Sequence, residues 1–331
     1  MTEHVDRRRF LQIAGVSIGA GALFQVAPLL GQTGAGRRLA AALGKANGEA
    51  PQPFLFAQLS DTHVGYSGPQ NPTGTAAFEK AIATINGLPR QPDLVLFTGD
   101  LTHDTEKPGE HADRMRLFQQ ISGRLRAPLV KHVPGEHDAG LDGGALFRDA
   151  FGETHYAFDH KGVHFIALDN VSQGRPNVGP EQLAWLKKDL ERFPPTAPIV
   201  VFTHRPLFDL RPDWEWFTGD GDQVMGLLAP YENVTVLYGH IHREHDHTEG
   251  HARHHAARSL IFAFPDPDAG VPKKPIPFDP QRPFANLGVR VVGEDAREAG
   301  RPPQIEEVEL TLREYAGTVG IQQFLKEGVA S

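Results

Sequence analysis

From Phe54 onward, short apolar runs alternate with stretches whose apolar residues recur at helical spacing, and run after run stops on a polar residue. Residues 54–59 read as a buried strand ending at Ser60-Asp61. Residues 75–88 place Ala76, Ala77, Ala81, Ile82 and Ile85 on a helical period. Residues 93–98 form a second strand pattern ending at Gly99-Asp100, residues 115–125 a second helix, and residues 129–133 a third strand stopped by Pro134-Gly135. Further on, the runs 156–158 and 163–168 flank Asp159-His160-Lys161-Gly162, a hairpin signal. A helix over 180–191 precedes strands at 199–203, ending at His204, and 234–238, ending at Gly239-His240. Residues 287–292 and 305–311 have the pattern of edge strands, and the Pro-rich stretch 265–283 that of an ordered loop or flap. Alternating strands and helices predict an α/β fold, in which ligands bind in the crevice beyond the carboxyl ends of the strands.

With 331 residues, 40% of them hydrophobic, the chain can bury a large core, and a single catalytic domain over 51–331 is expected. A formal net charge of -8 argues against a surface built for polyanions, so no nucleic-acid partner is expected. The complete absence of cysteine excludes disulfides, thiolate metal sites and cysteine nucleophiles, which leaves histidine and carboxylate as metal ligands. Seventeen histidines point the same way. At the N-terminus, Arg7-Arg8-Arg9-Phe10-Leu11 precedes a mildly apolar stretch containing Gly15, Gly19, Gly21 and Gly31, and this resembles a twin-arginine export signal. The resemblance implies recognition by the twin-arginine export machinery, a signal and linker over 1–50 cut near Ala46 or Ala50, and a periplasmic or extracellular enzyme with no stable membrane association afterwards. An uncleaved anchor or a basic tail are the alternatives.

Five signatures follow in chain order: Asp61-Thr62-His63, Gly99-Asp100, Gly135-Glu136-His137-Asp138, Thr203-His204 and Gly239-His240-Ile241-His242. Any one of them alone reads equally as a helix cap or a turn. Together and in this order, from Phe54 to His242, they resemble the calcineurin-like metallophosphoesterases. The resemblance implies a four-layer α/β/β/α sandwich of two mixed sheets and two metal ions per chain. Asp61, His63 and His242 would hold one ion and Glu136, His204 and His240 the other, with Asp100 bridging. It further implies hydrolysis of a small phosphate ester, with diesters favoured, by a hydroxide that bridges the metals. The residue types suit this chemistry, because two cations about 3.5–4 Å apart acidify a shared water and neutralise phosphoryl oxygens. Oxygen and imidazole ligands suit Fe, Mn or Zn. Glycine before Asp100, Glu136 and His240 permits close backbone approach to the site.

Within the resemblance, His137 would protonate the leaving alkoxide and Asp138 would orient it. Arg205 and Arg243 either contact the phosphate or pair with nearby carboxylates. Two departures stand out. Glu136 occupies a position where the family usually has Asn, giving three carboxylates and less residual positive charge. That favours a trivalent ion such as Fe(III), or monoanionic diesters over dianionic monoesters, unless Glu136 turns away and one metal is weakly held. His103, three residues after Asp100, stands where purple acid phosphatases carry a tyrosine ligand, so it either reaches a metal or lies beside the site. Residues His245, His247, His251, His254 and His255 are expected in a solvated loop, with the last two in a strand; a metal-loading segment or lid is the alternative. Trp185 is expected in the core, while Trp214 and Trp216 are placed to wall a substrate cleft. A purple-acid-phosphatase-like monoesterase and a non-catalytic metal-binding protein of the same fold are the competing functions.

Overall fold

A computed structural model describes residues 54–88, 91–107, 109–294 and 304–309; the expected export signal and its cleavage point lie outside them. The chain runs β1 (Phe54–Leu59), α1 (Ala76–Asn86), β2 (Leu94–Thr98), α2 (Glu110–Ser122), β3 (Leu129–Val133), α3 (Glu136–Ala139), α4 (Ala145–Phe151), β4 (Tyr156–His160) and β5 (Val163–Ala167). It continues with α5 (Pro180–Leu190), β6 (Pro198–Phe202), α6 (Gly221–Leu228), β7 (Asn233–Tyr238), β8 (His245–Glu249), β9 (Ala252–Ala256), β10 (Gly288–Glu294) and β11 (Gln304–Glu309). One sheet has the order β11-β10-β1-β2-β3 and the other β4-β5-β6-β7-β9-β8. β1, β2 and β3 are parallel, as are β5, β6, β7 and β9, while β4, β8, β10 and β11 pair antiparallel with their neighbours.

The expected four layers follow from a period-two division of side chains that are apolar on both faces. Phe54 and Phe56 of β1, Leu94 and Leu96 of β2, Phe165 of β5, and Val200 and Phe202 of β6 fill the space between the sheets. The alternate residues Ala57, Leu59, Val95 and Phe97 meet Phe78, Ala81 and Ile85 of α1 and Phe118 of α2. On the opposite side Ile199, Val201, Val234 and Val236 meet Leu186 and Leu190 of α5 and Val224 of α6. Because consecutive residues serve different layers, the strands read as continuous apolar runs. The β4–β5 hairpin turns through Lys161 and Gly162, both at positive φ (50° and 85°), as a tight two-residue connection requires. α2 begins at Glu110, earlier than its apolar residues indicate, because its first turn is polar and carries Glu110 and Asp113 at the positive end of the helix dipole. Among the described residues no helix is long and apolar enough to cross a membrane.

The histidine-rich segment is not a solvated loop: β8 and β9 form an ordered antiparallel hairpin that extends the second sheet, with His247 directly opposite His254. His254 is fully buried, and neither ring nitrogen has a hydrogen-bond partner. Its ring packs against Phe208 and His247, at centroid distances of 5.2 and 5.6 Å. Burial, reinforced by the neighbouring histidines, pushes its pKa down to about 3. The unfolded chain, with an ordinary histidine value of 6.5, therefore binds one more proton between those limits. Stability then falls as pH drops through that window, at up to about 1.4 kcal/mol per unit from this residue. His254→Leu removes both the unsatisfied imidazole and this pH dependence. Thermal melts should show the variant more stabilised, relative to wild type, at pH 5 than at pH 8; an equal loss at both would refute the assignment.

Candidate metal centre

Five strands, β1, β2 and β3 in one sheet and β6 and β7 in the other, deliver the site residues at or just beyond their carboxyl ends. β1 delivers Asp61 and His63, β2 delivers Asp100, β3 leads into α3 at Glu136, β6 ends before His204, and β7 before His240 and His242. All seven expected ligand positions are brought into two adjoining groups, Asp61–His63–Asp100–His242 and Asp100–Glu136–His204–His240, each with its donor atoms within 4.8 Å of one another. Asp100 belongs to both: its Oδ2 lies 3.3 Å from His63 Nε2 and 3.4 Å from His204 Nε2. Glu136 turns into the cluster, with Oε1 2.8 Å from His240 Nδ1 and Oε2 2.8 Å from His204 Nε2.

The hydrogen bonds on the far side of each ring fix which nitrogen faces the carboxylates, since a carbonyl can only accept. His204 donates through Nδ1 to the Thr98 carbonyl at 2.7 Å, His242 through Nδ1 to the Phe262 carbonyl at 2.9 Å, and His240 through Nε2 to the Glu215 carbonyl at 3.1 Å. In the neutral ring the inward nitrogen then presents a lone pair to carboxylate oxygens. That juxtaposition is favourable only with a cation between them, and the donor set of carboxylates and imidazoles fits divalent or trivalent metal ions. His204 Nε2 and Glu136 Oε2 are accordingly buried without an aligned hydrogen bond. His63 Nδ1 lies 3.1 Å from His103 Nδ1, a contact whose donor depends on the two tautomers, and His63, His103 and His137 together form a third, smaller group of donors able to hold a metal ion.

Electrostatics agree. Burial holds the imidazoles of His63 and His240 below their ordinary pKa, toward the neutral form that binds metal. Burial opposes ionisation of Asp100 and Glu136, yet the surrounding imidazoles hold both carboxyls below the usual range. His204 is drawn well above its ordinary value, against burial, by Asp100 and Glu136; a bound cation replaces that proton.

The backbone is strained where these groups converge. Asp61, His63, Asp100, His240 and His242 all have positive φ, between 42° and 65°, a region that costs non-glycine residues energy and concentrates at functional sites. Glycine serves close approach at all three expected positions: a Cβ would stand 2.3 Å from His204 Nδ1 on Gly99, 2.1 Å from Asp100 Oδ1 on Gly135 and 1.9 Å from Ser60 Oγ on Gly239.

His137 lies beside the first group, its ring 4.8 Å from that of His63 and stacked on His103 at 4.6 Å. The orienting role expected of Asp138 does not match its contacts. The fully buried Asp138 carboxylate accepts from the backbone N–H groups of Gly135, Leu101 and Thr102 and from the Thr102 hydroxyl, and so ties α3 to the Asp100 turn. The carboxylate against His137 Nδ1 is that of Asp104, at 2.5 Å. The Asp138 carboxylate is thus taken up by backbone N–H groups and a hydroxyl, whereas Asp104 reaches the ring from the loop after β2. Although burial works against it, Asp100, Glu136 and Asp104 raise the His137 pKa. Burial and the Asp100 charge push Asp138 up to about 6.

Arg205 lies 3.3 Å from Glu136 Oε1 and donates to the Glu215 carbonyl at 2.7 Å. Arg243 instead pairs with Asp266 at 3.0 Å and donates to the Pro265 carbonyl at 3.2 Å, fastening the Pro-rich segment. Trp214 and Trp216 are buried against Tyr238, Ile241 and Ala256 and do not wall a cleft. Trp185 is half-buried at the margin of the α5 core, edge-on to His155.

A four-layer sandwich that gathers carboxylates and imidazoles into two groups sharing one aspartate is the architecture of a hydrolase that works through paired metal ions. Residues 54–244 match the family model of the calcineurin-like phosphoesterases, and the chain belongs to that family. It is 30% identical over 204 residues to a probable glycerophosphodiester phosphodiesterase of Arcobacter nitrofigilis, covering 57% of this chain and 72% of the relative. It is also 30% identical over 256 residues to a probable cyclic nucleotide phosphodiesterase of a Synechococcus, covering 68% and 84%. The fold is shared with the crystal structure of a dimetal phosphatase from Danio rerio at a TM-score of 0.52 and 12% identity, covering 78% of this chain and 98% of that one. The chain is thus a metal-dependent hydrolase of phosphate esters.

Proposed function

We propose that the substrate is a phosphodiester, that the seven clustered residues Asp61, His63, Asp100, Glu136, His204, His240 and His242 are the metal ligands, and that His137 is the general acid. The observation that carries the diester preference is Glu136, which brings a third carboxylate into the metal groups in addition to Asp61 and Asp100. Each anionic ligand lowers the net positive charge that a phosphate meets, and a dianionic monoester loses more from this than a monoanionic diester. Two relatives named as phosphodiesterases support the same reading. The bound metals supply Lewis-acid neutralisation of the phosphoryl oxygens and acidify the attacking water. The protein positions the ester. As the phosphorus–oxygen bond to the leaving group breaks, His137 gives its Nε2 proton to the departing oxygen, while Asp104 holds Nδ1.

The experiment is a comparison of kcat/KM for bis(p-nitrophenyl) phosphate and p-nitrophenyl phosphate, in wild type and Glu136→Asn. Wild type should favour the diester, and the variant should shift the ratio toward the monoester by about tenfold, equivalent to about 1.4 kcal/mol. Preference for the monoester in wild type, unchanged by the substitution, would reverse the reading. The carboxylate and imidazole donors point to Mn, Fe or Zn, with Fe(III) favoured beside Glu136; elemental analysis of native protein decides among them. Export by the twin-arginine route to the periplasm or beyond completes the proposal, on the strength of Arg7-Arg8-Arg9-Phe10-Leu11 and the weakly apolar stretch after it. Lysine at Arg7 and Arg8 should trap the protein inside the cell, and unaltered export in a fractionation assay would rule the route out.

A further inference from the structure

The Pro-rich segment 265–283 brings Lys273 to the Trp214–Glu215 turn beside the metal centre. Besides the Arg211–Asp268 ion pair at 3.8 Å, three sets of contacts fasten the segment. Arg243 holds Pro265 and Asp266, the Ile276 N–H donates to the Ala263 carbonyl at 2.7 Å, and Lys273 Nζ donates to the Trp214 carbonyl at 2.6 Å. Trp214 is followed by Glu215, held at φ 60°, whose own carbonyl receives Arg205 and the inward-facing His240. Lys273 and His240 thus hang on consecutive carbonyls of one strained turn. On its other side the ammonium lies 5.6 Å over the Phe264 ring, which in turn packs 5.1 Å from the ring of His242. Lys273 is therefore bracketed by groups that contact ligand positions of both metal groups.

Its chemistry there is unusual for a lysine. The side chain is half-buried, burial lowers its pKa, and among the described residues it makes no ion pair with a carboxylate. Its charge nevertheless interacts with those of Glu136, Glu215 and Arg205. A partly desolvated ammonium costs free energy unless an anion offsets it, and one carbonyl occupies only one of its three N–H donors. Glu136 makes the site more acidic than two carboxylates would, which is a reason for a fixed cation next to it.

We propose that Lys273 is a substrate-binding residue that donates to a non-bridging oxygen of the phosphoryl group, and that the 265–283 segment is the element that positions it. This rests on the phosphoesterase reading of the site. The test is equilibrium binding of inorganic phosphate to the metal-loaded protein, alongside steady-state hydrolysis of bis(p-nitrophenyl) phosphate, for wild type, Lys273→Met and Lys273→Arg. Lys273→Met should weaken phosphate binding and raise KM about tenfold each, with kcat falling less than about threefold and metal content unchanged; Lys273→Arg should recover most of the affinity. Phosphate affinity unchanged in Lys273→Met would overturn the proposal. So would equal loss in both variants with faster proteolysis within 265–283, which marks a structural tie alone. Failure of wild type to turn over the diester would count against the phosphoesterase reading and not against Lys273, because the phosphate-binding comparison does not depend on turnover.

Discussion

Asp100→Asn should abolish diester hydrolysis, lowering kcat/KM by about three orders of magnitude or more, and should reduce metal content at both groups together. Asp100 is the one residue common to the two groups, with Oδ2 between His63 Nε2 and His204 Nε2. Its Oδ1 also accepts from the His137 N–H at 3.0 Å, so the same carboxylate sets the start of α3. Asparagine preserves the shape and that acceptor and removes the charge, which isolates the electrostatic contribution. A variant that folds, as judged by circular dichroism, yet holds less than half the wild-type metal is the expected outcome. Retention of full metal content and activity would show that the bridge is not needed. By contrast, His242→Ala should deplete one group more than the other, because His242 belongs to the Asp61–His63–Asp100–His242 group and not to the other, with its Nε2 3.4 Å from Asp61 Oδ1 and 3.3 Å from His63 Nε2.

The second large effect is expected at His137. His137→Ala should lower kcat by about 10²–10³-fold for a diester with an alkyl leaving group, while metal content stays at the wild-type level. With a nitrophenyl leaving group, which departs as a stable anion, the loss should shrink to about tenfold, since proton donation then matters less. That dependence on the leaving group separates an acid from a residue that only packs near the metals. Asp104→Asn should reproduce a milder form, about 10-fold to 100-fold, because it leaves the imidazole in place and removes the carboxylate that fixes its Nδ1. Asp138→Asn is expected to act differently, through the Asp100 turn and thermal stability, as its partners are three backbone N–H groups and a hydroxyl. Equal leaving-group profiles for wild type and His137→Ala would remove His137 from the chemistry.

Much of this site was legible because the information is local: an apolar run, a turn, and a polar residue at its end. The strand ends at Asp61, Asp100, Glu136, His204 and His240 were each placed by that pattern, and their convergence followed from parallel strands lying side by side. Contacts set by packing between distant segments were not legible. Asp104 sits next to His103 in the sequence, but nothing local tells which loop carboxylate meets His137, and the nearer Asp138 is taken up by backbone N–H groups that carry no sequence signature. The carbonyls of Thr98, Glu215 and Phe262, which fix three ring orientations, carry no side-chain signature. The left-handed backbone at five of the seven cluster positions is likewise invisible in residue type, because aspartate and histidine tolerate it without demanding it. Trp214 and Trp216 were misplaced for a related reason: a polar, proline-bounded segment looks exposed, yet Tyr238 and Ile241 at the end of β7 offer it an apolar seat. The hairpin of β8 and β9 was obscured because histidine and charged residues fill a strand pattern that is apolar only at Ala252 and Ala256.

The most direct measurement is a titration of metal-free protein with Mn, Zn or Fe, following bis(p-nitrophenyl) phosphate hydrolysis against bound metal. Activity that is absent without metal and rises to a plateau at two equivalents per chain is the result predicted by two groups joined through Asp100. Hydrolysis that persists without metal, or a chain that binds two equivalents and turns over neither diester nor monoester, would contradict it.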